Sequence, residues 1–262
     1  MDKSFLTKIL GFPATLIHGD TLVLDRWRWL KSRLPETCNG EKLLDVGCGT
    51  GAFTIGSALR GYETLGLSWD ERNQAVARER AAICKAQTAV FEVQDVRDLG
   101  ARNELVSQFD FAICLETVEH VLDDRKLFRD IAACLKPGGR LLLTTPNLHY
   151  RPMTAGEKGP FSKVEDGGHV RRGYTKAMLD ELCAQAGLVP EQVSFTSGFL
   201  SQKITTTLRV LSRIHPLIGW AFVLPLRVVP ILFDEFVTQL VRWPQFSICL
   251  EAYKPRYEEP TA

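Results

Sequence analysis

Two carboxylates and an imidazole stand close together in the string E-T-V-E-H: Glu116, Glu119 and His120, at i, i+3 and i+4. On a helical turn that spacing places all three side chains on one face. Such a set suits a hard-to-borderline divalent ion, Mg²⁺, Mn²⁺ or Zn²⁺. A fourth ligand is available in His169, just before Val-Arg-Arg-Gly-Tyr. The same residues have plainer uses. Glu116 can line a ligand pocket, Glu119 can face solvent, and His120 can act as a general base or hydrogen-bond a backbone carbonyl. His169 taken alone reads as a surface histidine.

A second constellation is Leu-Leu-Asp-Val-Gly-Cys-Gly-Thr-Gly at positions 43–51. Gly47, Gly49 and Gly51, with Cys48 between the first two, follow an apolar run and open an amphipathic one. Glycines let the backbone turn sharply and let a ligand approach the main chain. The N–H groups at the following helix start favour a negative group such as a carboxylate or phosphate. The spacing is G-x-G-x-G, and Asp45 stands two positions before the first glycine. A fixed negative charge there repels a pyrophosphate and welcomes a cationic ligand.

These residues need a frame to hold them. Short apolar runs at 42–46, 62–67, 89–93, 109–115 and 140–145 alternate with amphipathic segments near 50–60, 70–86 and 123–135. Strands alternating with helices predict a parallel sheet covered on both faces. The strand runs are nearly continuous in apolar residues, as doubly covered strands require. Residues 146–174 form a long polar connection, the kind that carries function. Thr175 is the expected N-cap of a helix over 176–186 that Gly187 stops, and two further strands are expected near 190–198 and 246–254. Between them lies an apolar insertion with Leu217–Leu226, Arg227 and Val228–Phe233, interrupted by Pro225 and Pro230. It reads as a pair of short helices over the core or at a dimer contact, or else as a lid for a hydrophobic substrate or a membrane-surface contact.

The string LLDVGCGTGAF resembles motif I of the class I S-adenosylmethionine-dependent methyltransferases. GLSWDERN, VQDVRDL, FDFAICLETVEHV and LKPGGRLLLTTPN follow in the family's order, and the resemblance covers residues 42–200. It implies a Rossmann-like, doubly wound, seven-stranded, mostly parallel α/β sheet and S-adenosyl-L-methionine as cofactor. Carried over by position, Gly47, Gly49 and Gly51 meet the methionine part. Asp95 accepts the adenine amino group beside the backbone of Val96, and Trp69 lies against the ring. Asp45, Cys48 and Glu116 complete the cofactor set. The family usually has an acid at the end of the second strand to hold the ribose; Ser68 stands there, able to make one hydrogen bond but no bidentate charged pair. Asp70, two residues on, is either a substitute or the N-cap of the next helix. E-T-V-E-H with a later histidine is similar to the ubiquinone-biosynthesis O-methyltransferases and the small-RNA 2′-O-methyltransferases. That likeness makes Glu116, Glu119, His120 and His169 metal-ligand candidates, with His120 and His169 also candidate catalytic bases. His149, Tyr150 and Arg171 are candidates for the acceptor pocket, against a reading as loop anchors and solvated charge.

Composition narrows the partners. The chain has 262 residues and a net charge of +1, with 45% hydrophobic and 24% charged residues, so it is globular and carries no basic stripe for nucleic acid. Seven unpatterned cysteines and no recognisable secretory signal predict a reducing, cytoplasmic setting, with contact at a membrane surface left open through 217–233. One domain is expected: an N-terminal helical cover to residue 40, in which Asp25–Leu30 forms a helix over the cleft, a cofactor core over 41–199, the apolar insertion over 200–245 and a last strand at 246–254. The expected activity is methyl transfer to a small, lipophilic acceptor, O-methylation of a hydroxyl first, metal-assisted or not. N- or C-methylation by proximity and a histidine base is the alternative within the class, and a non-catalytic protein on the same fold the alternative outside it. A nicotinamide-dependent dehydrogenase is disfavoured, because G-x-G-x-x-G and an acid after the second strand are both missing.

Overall fold

The computed structural model describes residues 4–17, 20–35 and 39–256. Three helices lead: α1 (Phe5–Leu10), α2 (Phe12–Ile17) and α3 (Thr21–Lys31). Then β1 (Lys42–Val46), α4 (Ala52–Ala58), β2 (Glu63–Ser68), α5 (Glu71–Cys84), β3 (Ala89–Val93), β4 (Phe109–Leu115), α6 (Asp124–Cys134) and β5 (Leu135–Pro146) alternate as the apolar runs predict. The second half adds α7 (Lys176–Ala186), β6 (Val189–Thr196), α8 (Phe199–Ile214), α9 (Pro216–Val223), α10 (Val228–Leu240) and β7 (Ser247–Tyr253).

The seven strands form one sheet in the order β3-β2-β1-β4-β5-β7-β6, the class I methyltransferase arrangement. Strands β1 to β5 pair in parallel, and β7 inserts antiparallel between β5 and β6. Strand order reverses between β1 and β4, so a crevice opens beyond their carboxyl ends. Both the glycine loop after β1 and the E-T-V-E-H string after β4 end there.

Polar residues set the helix starts. Asp20, Asp70, Asp123 and Thr175 each accept a backbone N–H in the first turn of α3, α5, α6 and α7. Asp70 is thereby used as a cap, and Gly187 closes α7 in a left-handed conformation, φ 72°. One core cluster joins the sheet to α6 and α7 through Leu127, Phe128, Ile131, Leu179 and Cys183. Another joins it to α3 through Trp27, Trp29 and Leu30, while Ile55, Ala77, Ala81 and Phe91 bind α4 and α5 to β3. The tryptophans of the leading helix are therefore core residues. All six described cysteines are free, and Cys38 lies outside the described residues.

Candidate active site

The glycine loop is folded tightly against its surroundings. The N–H groups of Gly47 and Cys48 both donate to the carbonyl of Leu67, which turns the chain away from β1. Gly47 has φ +87°, and a Cβ there would fall 2.2 Å from Thr117 Oγ1, so no other residue fits. Gly47 and Gly49 line a cavity of about 490 Å³, a size suited to a small molecule. Ser68, Trp69, Asp95, Val96 and Glu116 line it too, with Trp69 62% exposed at its wall.

Three loop residues expected at the cofactor do not line the cavity. Gly51 starts α4 at φ +78°, where a Cβ would strike Phe91 and Ala77, so its role is close packing. Cys48 Sγ accepts from Gln74 Nε2 at 3.3 Å, and burial holds its thiol protonated. Asp45 is buried and accepts from Thr54 Oγ1 at 2.6 Å, joining β1 to α4. Burial pushes its carboxyl up to about 7 against the opposing bond from Thr54. Asp45 is thus a structural acid and not a charge turned toward a cationic ligand.

Asp95 caps the short 3-10 helix Val96–Ala101 by accepting from the Arg97 N–H, and it pairs with the Arg97 guanidinium. Those bonds hold its carboxyl below the usual range. Arg97 Nη1 also donates to Glu165 at 2.6 Å, and Glu165 Oε1 accepts from the Leu122 N–H at 2.6 Å. Burial would raise the Glu165 carboxyl, but its bonds to Arg97 and the Leu122 N–H, with the Arg97 charge, together outweigh it and hold it below the usual range. Arg97, Glu165, Asp166, Gly167 and Asn73 all line the cavity, and none was singled out from sequence. The length of the 146–174 connection marked the region but not these residues.

The E-T-V-E-H string does not form the single face that helical spacing predicts. Glu116 has φ +53° at the end of β4, and only Val118–His120 make a 3-10 turn. The left-handed residue swings Glu116 away from the other two. Its Oε1 accepts from Thr144 Oγ1 at 3.0 Å and Ser247 Oγ at 3.1 Å, and its Oε2 pairs with Arg26 Nη2 at 2.9 Å. Burial would lower the Arg26 guanidinium, but Glu116 and then Asp20, Glu119 and Asp25 outweigh it, so its pKa rises.

Glu119 is fully buried. Its Oε2 accepts from Thr145 Oγ1 at 3.0 Å, while its Oε1 has no hydrogen-bond partner among the described residues and lies 4.0 Å from His120 Nε2. Burial, and next the Glu116 charge, raise its carboxyl well above the usual range. His120 Nδ1 is 3.0 Å from the carbonyl of Gly168. A carbonyl only accepts, so Nδ1 donates to it, and Nε2 is the ring nitrogen turned toward Glu119. The His169 ring stands edge-on to His120 with centroids 4.6 Å apart. Burial, and next His120, lower its pKa to about 4, leaving a neutral imidazole. One ligand atom each from Glu119, His120 and His169 lie within 4.8 Å of one another; Glu116 is not in that group.

Two of the three residues expected at the acceptor, Tyr150 and Arg171, anchor the connection. Tyr150 is buried against Phe246, ring centroids 4.8 Å apart, and its hydroxyl donates to the Glu157 carbonyl at 3.1 Å. Arg171 pairs with Asp124 and donates to the carbonyls of Val121 and Leu122. His149 is exposed, with its N–H on Asn147 Oδ1. None of them lines the cavity.

The Methyltransferase domain family matches residues 23–193. The chain is 30% identical over 159 residues to the ubiquinone biosynthesis O-methyltransferase of Aeromonas salmonicida, a stretch that is 59% of this chain and 66% of that one. It spans about half to two thirds of the length of the curated relatives it matches. An S-adenosylmethionine-dependent methyltransferase from Mesorhizobium loti superposes with a TM-score of 0.56 at 21% identity, over 87% of this chain and 97% of that one. The geranyl diphosphate C-methyltransferase of Streptomyces coelicolor gives a TM-score of 0.58 at 18% identity, over 87% and 79%. Likeness at that level of identity shows the fold alone. With the family matched over most of the chain and the glycine loop opening onto the switch-point cavity, the chain belongs to the S-adenosylmethionine-dependent methyltransferases.

Proposed function

We propose that this enzyme O-methylates a hydroxyl of a small, lipophilic acceptor, with a divalent cation held by Glu119, His120 and His169. The observation that carries this reading is the buried Glu119 Oε1, without a hydrogen-bond partner among the described residues and 4.0 Å from His120 Nε2. A buried carboxylate oxygen without a donor is costly unless a proton or a cation satisfies it, and a cation displaces the proton. Two imidazoles and one carboxylate favour Mn²⁺ or Zn²⁺ over Mg²⁺, which prefers oxygen ligands. The His120–Gly168 bond supplies the outer contact that fixes a ligating histidine. When bound, such a cation lowers the pKa of the acceptor hydroxyl.

The remaining work is alignment. Methyl transfer is a displacement at the sulfonium methyl carbon, and holding donor and acceptor in line supplies much of the rate. Gly47 and Gly49 offer backbone to the donor, while Ser68, Trp69, Asp95 and Val96 wall the same cavity. Arg26 fixes the Glu116 carboxylate at the cavity wall. The relatives at 30% identity that are named for ubiquinone biosynthesis support a lipophilic phenol as the acceptor class. A second reading rests on the same ring nitrogen at the cavity: without a cation, His120 is a general base for an oxygen or nitrogen acceptor.

Calorimetric titration of Mn²⁺ and Zn²⁺ in the presence of S-adenosylhomocysteine separates the two. One-to-one binding that disappears in Glu119→Ala/His120→Ala supports the metal-assisted reaction. Absence of binding in the wild type, with S-adenosylhomocysteine still bound, sinks it and leaves the base.

A further inference from the structure

The insertion between β6 and β7 has its polarity reversed. Helices α9 and α10, joined by the 3-10 turn Leu224–Arg227, run back along α8. The residues they turn inward form one stripe at steps of three and four: Gly219, Val223, Arg227, Pro230, Asp234 and Thr238. Most of that stripe is small or polar, and it is used. Asp234 accepts the backbone N–H groups of Gly198 and Leu200, and Thr238 Oγ1 that of Phe199, capping α8 where Gly198 has no side chain to do so. Arg227 donates to the carbonyl of Ile17 and stacks on Trp220. The residues turned outward are the large apolar ones: Leu217, Ile218, Phe222, Leu232, Phe233 and Phe236 are each more than half exposed. A helix on a water-soluble core shows the opposite pattern.

We propose that α9 and α10 lie in the surface of an anionic lipid bilayer, apolar side down, and that the enzyme takes its acceptor from there. Three observations favour lipid over a protein partner. Only the single inward stripe is covered, so apolar side chains stand exposed around most of the circumference; a partner surface covers one face, whereas hydrocarbon covers all of it. Charge is complementary as well: residues 199–243 hold five Lys and Arg against two carboxylates in a chain whose total is +1. Arg213 and Arg242 are exposed at the two ends of the apolar stretch, where long cationic side chains reach headgroups. Pro216–Leu240 is apolar and long enough to cross a membrane by composition. Its buried Arg227 and its caps onto α8 tie it to the protein, which fits a helix lying in the interface. Arg209 of α8 pairs with Glu157 at 2.6 Å in the connection that carries His169, so the docked insertion adjoins the acceptor side of the site. Acceptor delivery rests on the reading of a lipophilic acceptor, but the lipid contact does not.

The test is co-sedimentation of the full chain with phosphatidylglycerol-containing vesicles and with pure phosphatidylcholine vesicles. Wild type should pellet with the anionic vesicles, less so in high salt, and at least tenfold less with the neutral ones. Leu232→Glu/Phe236→Glu should lose the partitioning by at least tenfold while keeping its thermal midpoint and S-adenosylhomocysteine affinity. Wild type that stays in the supernatant overturns the proposal, as does a double variant that pellets like wild type. A wild-type dimer by light scattering that the variant dissolves, without vesicle binding, assigns the surface to a second copy. Metal titration is independent of all these outcomes, so failure of the lipid contact leaves the metal-assisted reading standing, and the reverse.

Discussion

Arg26 and Glu116 meet at 2.9 Å across the cleft, the arginine on α3 and the carboxylate at the left-handed residue that ends β4. Both side chains are largely buried, and Glu116 also takes hydroxyls from Thr144 on β5 and Ser247 on β7. A single carboxylate thus ties the leading helix to three neighbouring strands. Glu119, fully buried nearby, feels the Glu116 charge, so one guanidinium compensates two acids.

Arg26→Ala removes that compensation and leaves a buried carboxylate unpaired. Breaking a buried pair from one side costs about 3–5 kcal/mol. Urea unfolding should show a loss of that order, with Arg26→Lys recovering part of it. A loss under about 1 kcal/mol would mean that solvent reaches Glu116 freely.

Gly47→Ala should abolish S-adenosylhomocysteine binding in calorimetry, weakening it by well over tenfold. The added Cβ meets Thr117 at 2.2 Å on a backbone with φ +87°. Gly187→Ala is the matched control, because its φ is +72° but nothing lies within 4 Å of the new Cβ. It should cost about 1 kcal/mol of stability and leave ligand affinity unchanged. Equal binding losses in both variants would show that general destabilisation, and not loop geometry, is being measured.

The Asp45 carboxyl, pushed up to about 7 by burial, gives the ligand-free protein a pH dependence of definite sign. Between the ordinary carboxylate range and pH 7 the folded chain holds a proton that the unfolded chain has released. Stability therefore falls as pH rises through that window. The Asp45 share of the loss between pH 5 and 8 is on the order of 2–3 kcal/mol. Asp45→Asn keeps an acceptor for Thr54 and should flatten the profile by that amount. An identical slope in both proteins would place the Asp45 pKa in the ordinary range.

The alternation of apolar and amphipathic runs was legible because strand burial and helix capping are local properties of residue type. Asp70, Thr175 and Gly187 cap helices as their types predict. The cavity walls at Ser68, Trp69, Asp95 and Val96 follow from strand ends that the topology brings together. What sequence hid is orientation. Nothing in the letter Glu announces a left-handed φ, so Glu116 is misplaced onto the face of Glu119 and His120. Arg26 gives no sign of its partner ninety residues away, and Arg171 and Tyr150 look like ligand contacts until their anchoring bonds are seen. In the insertion, Arg227 reads as an interruption of an apolar run; in the fold it is part of the inward stripe that leaves the apolar residues outside.

The two versions of the metal site make different predictions. Helical spacing with the family resemblance gives four candidate ligands, Glu116 included, whereas among the described residues the fold groups Glu119, His120 and His169. Glu116 already holds three contacts, with Thr144 and Ser247 on Oε1 and Arg26 on Oε2. Glu116→Gln preserves the hydroxyl contacts and should leave Mn²⁺ affinity within about threefold, since a change below ~1 kcal/mol reflects no lost ligand. His169→Ala removes one of the three proposed ligands and should weaken binding by about 10–100-fold, the range seen even for outer-shell losses. Both titrations need S-adenosylhomocysteine bound throughout, so that the cleft is in the same state. A large loss in Glu116→Gln with none in His169→Ala would reverse the assignment: the cation would then sit on the β5 side of the turn, and the 146–174 connection would contribute position and no ligand.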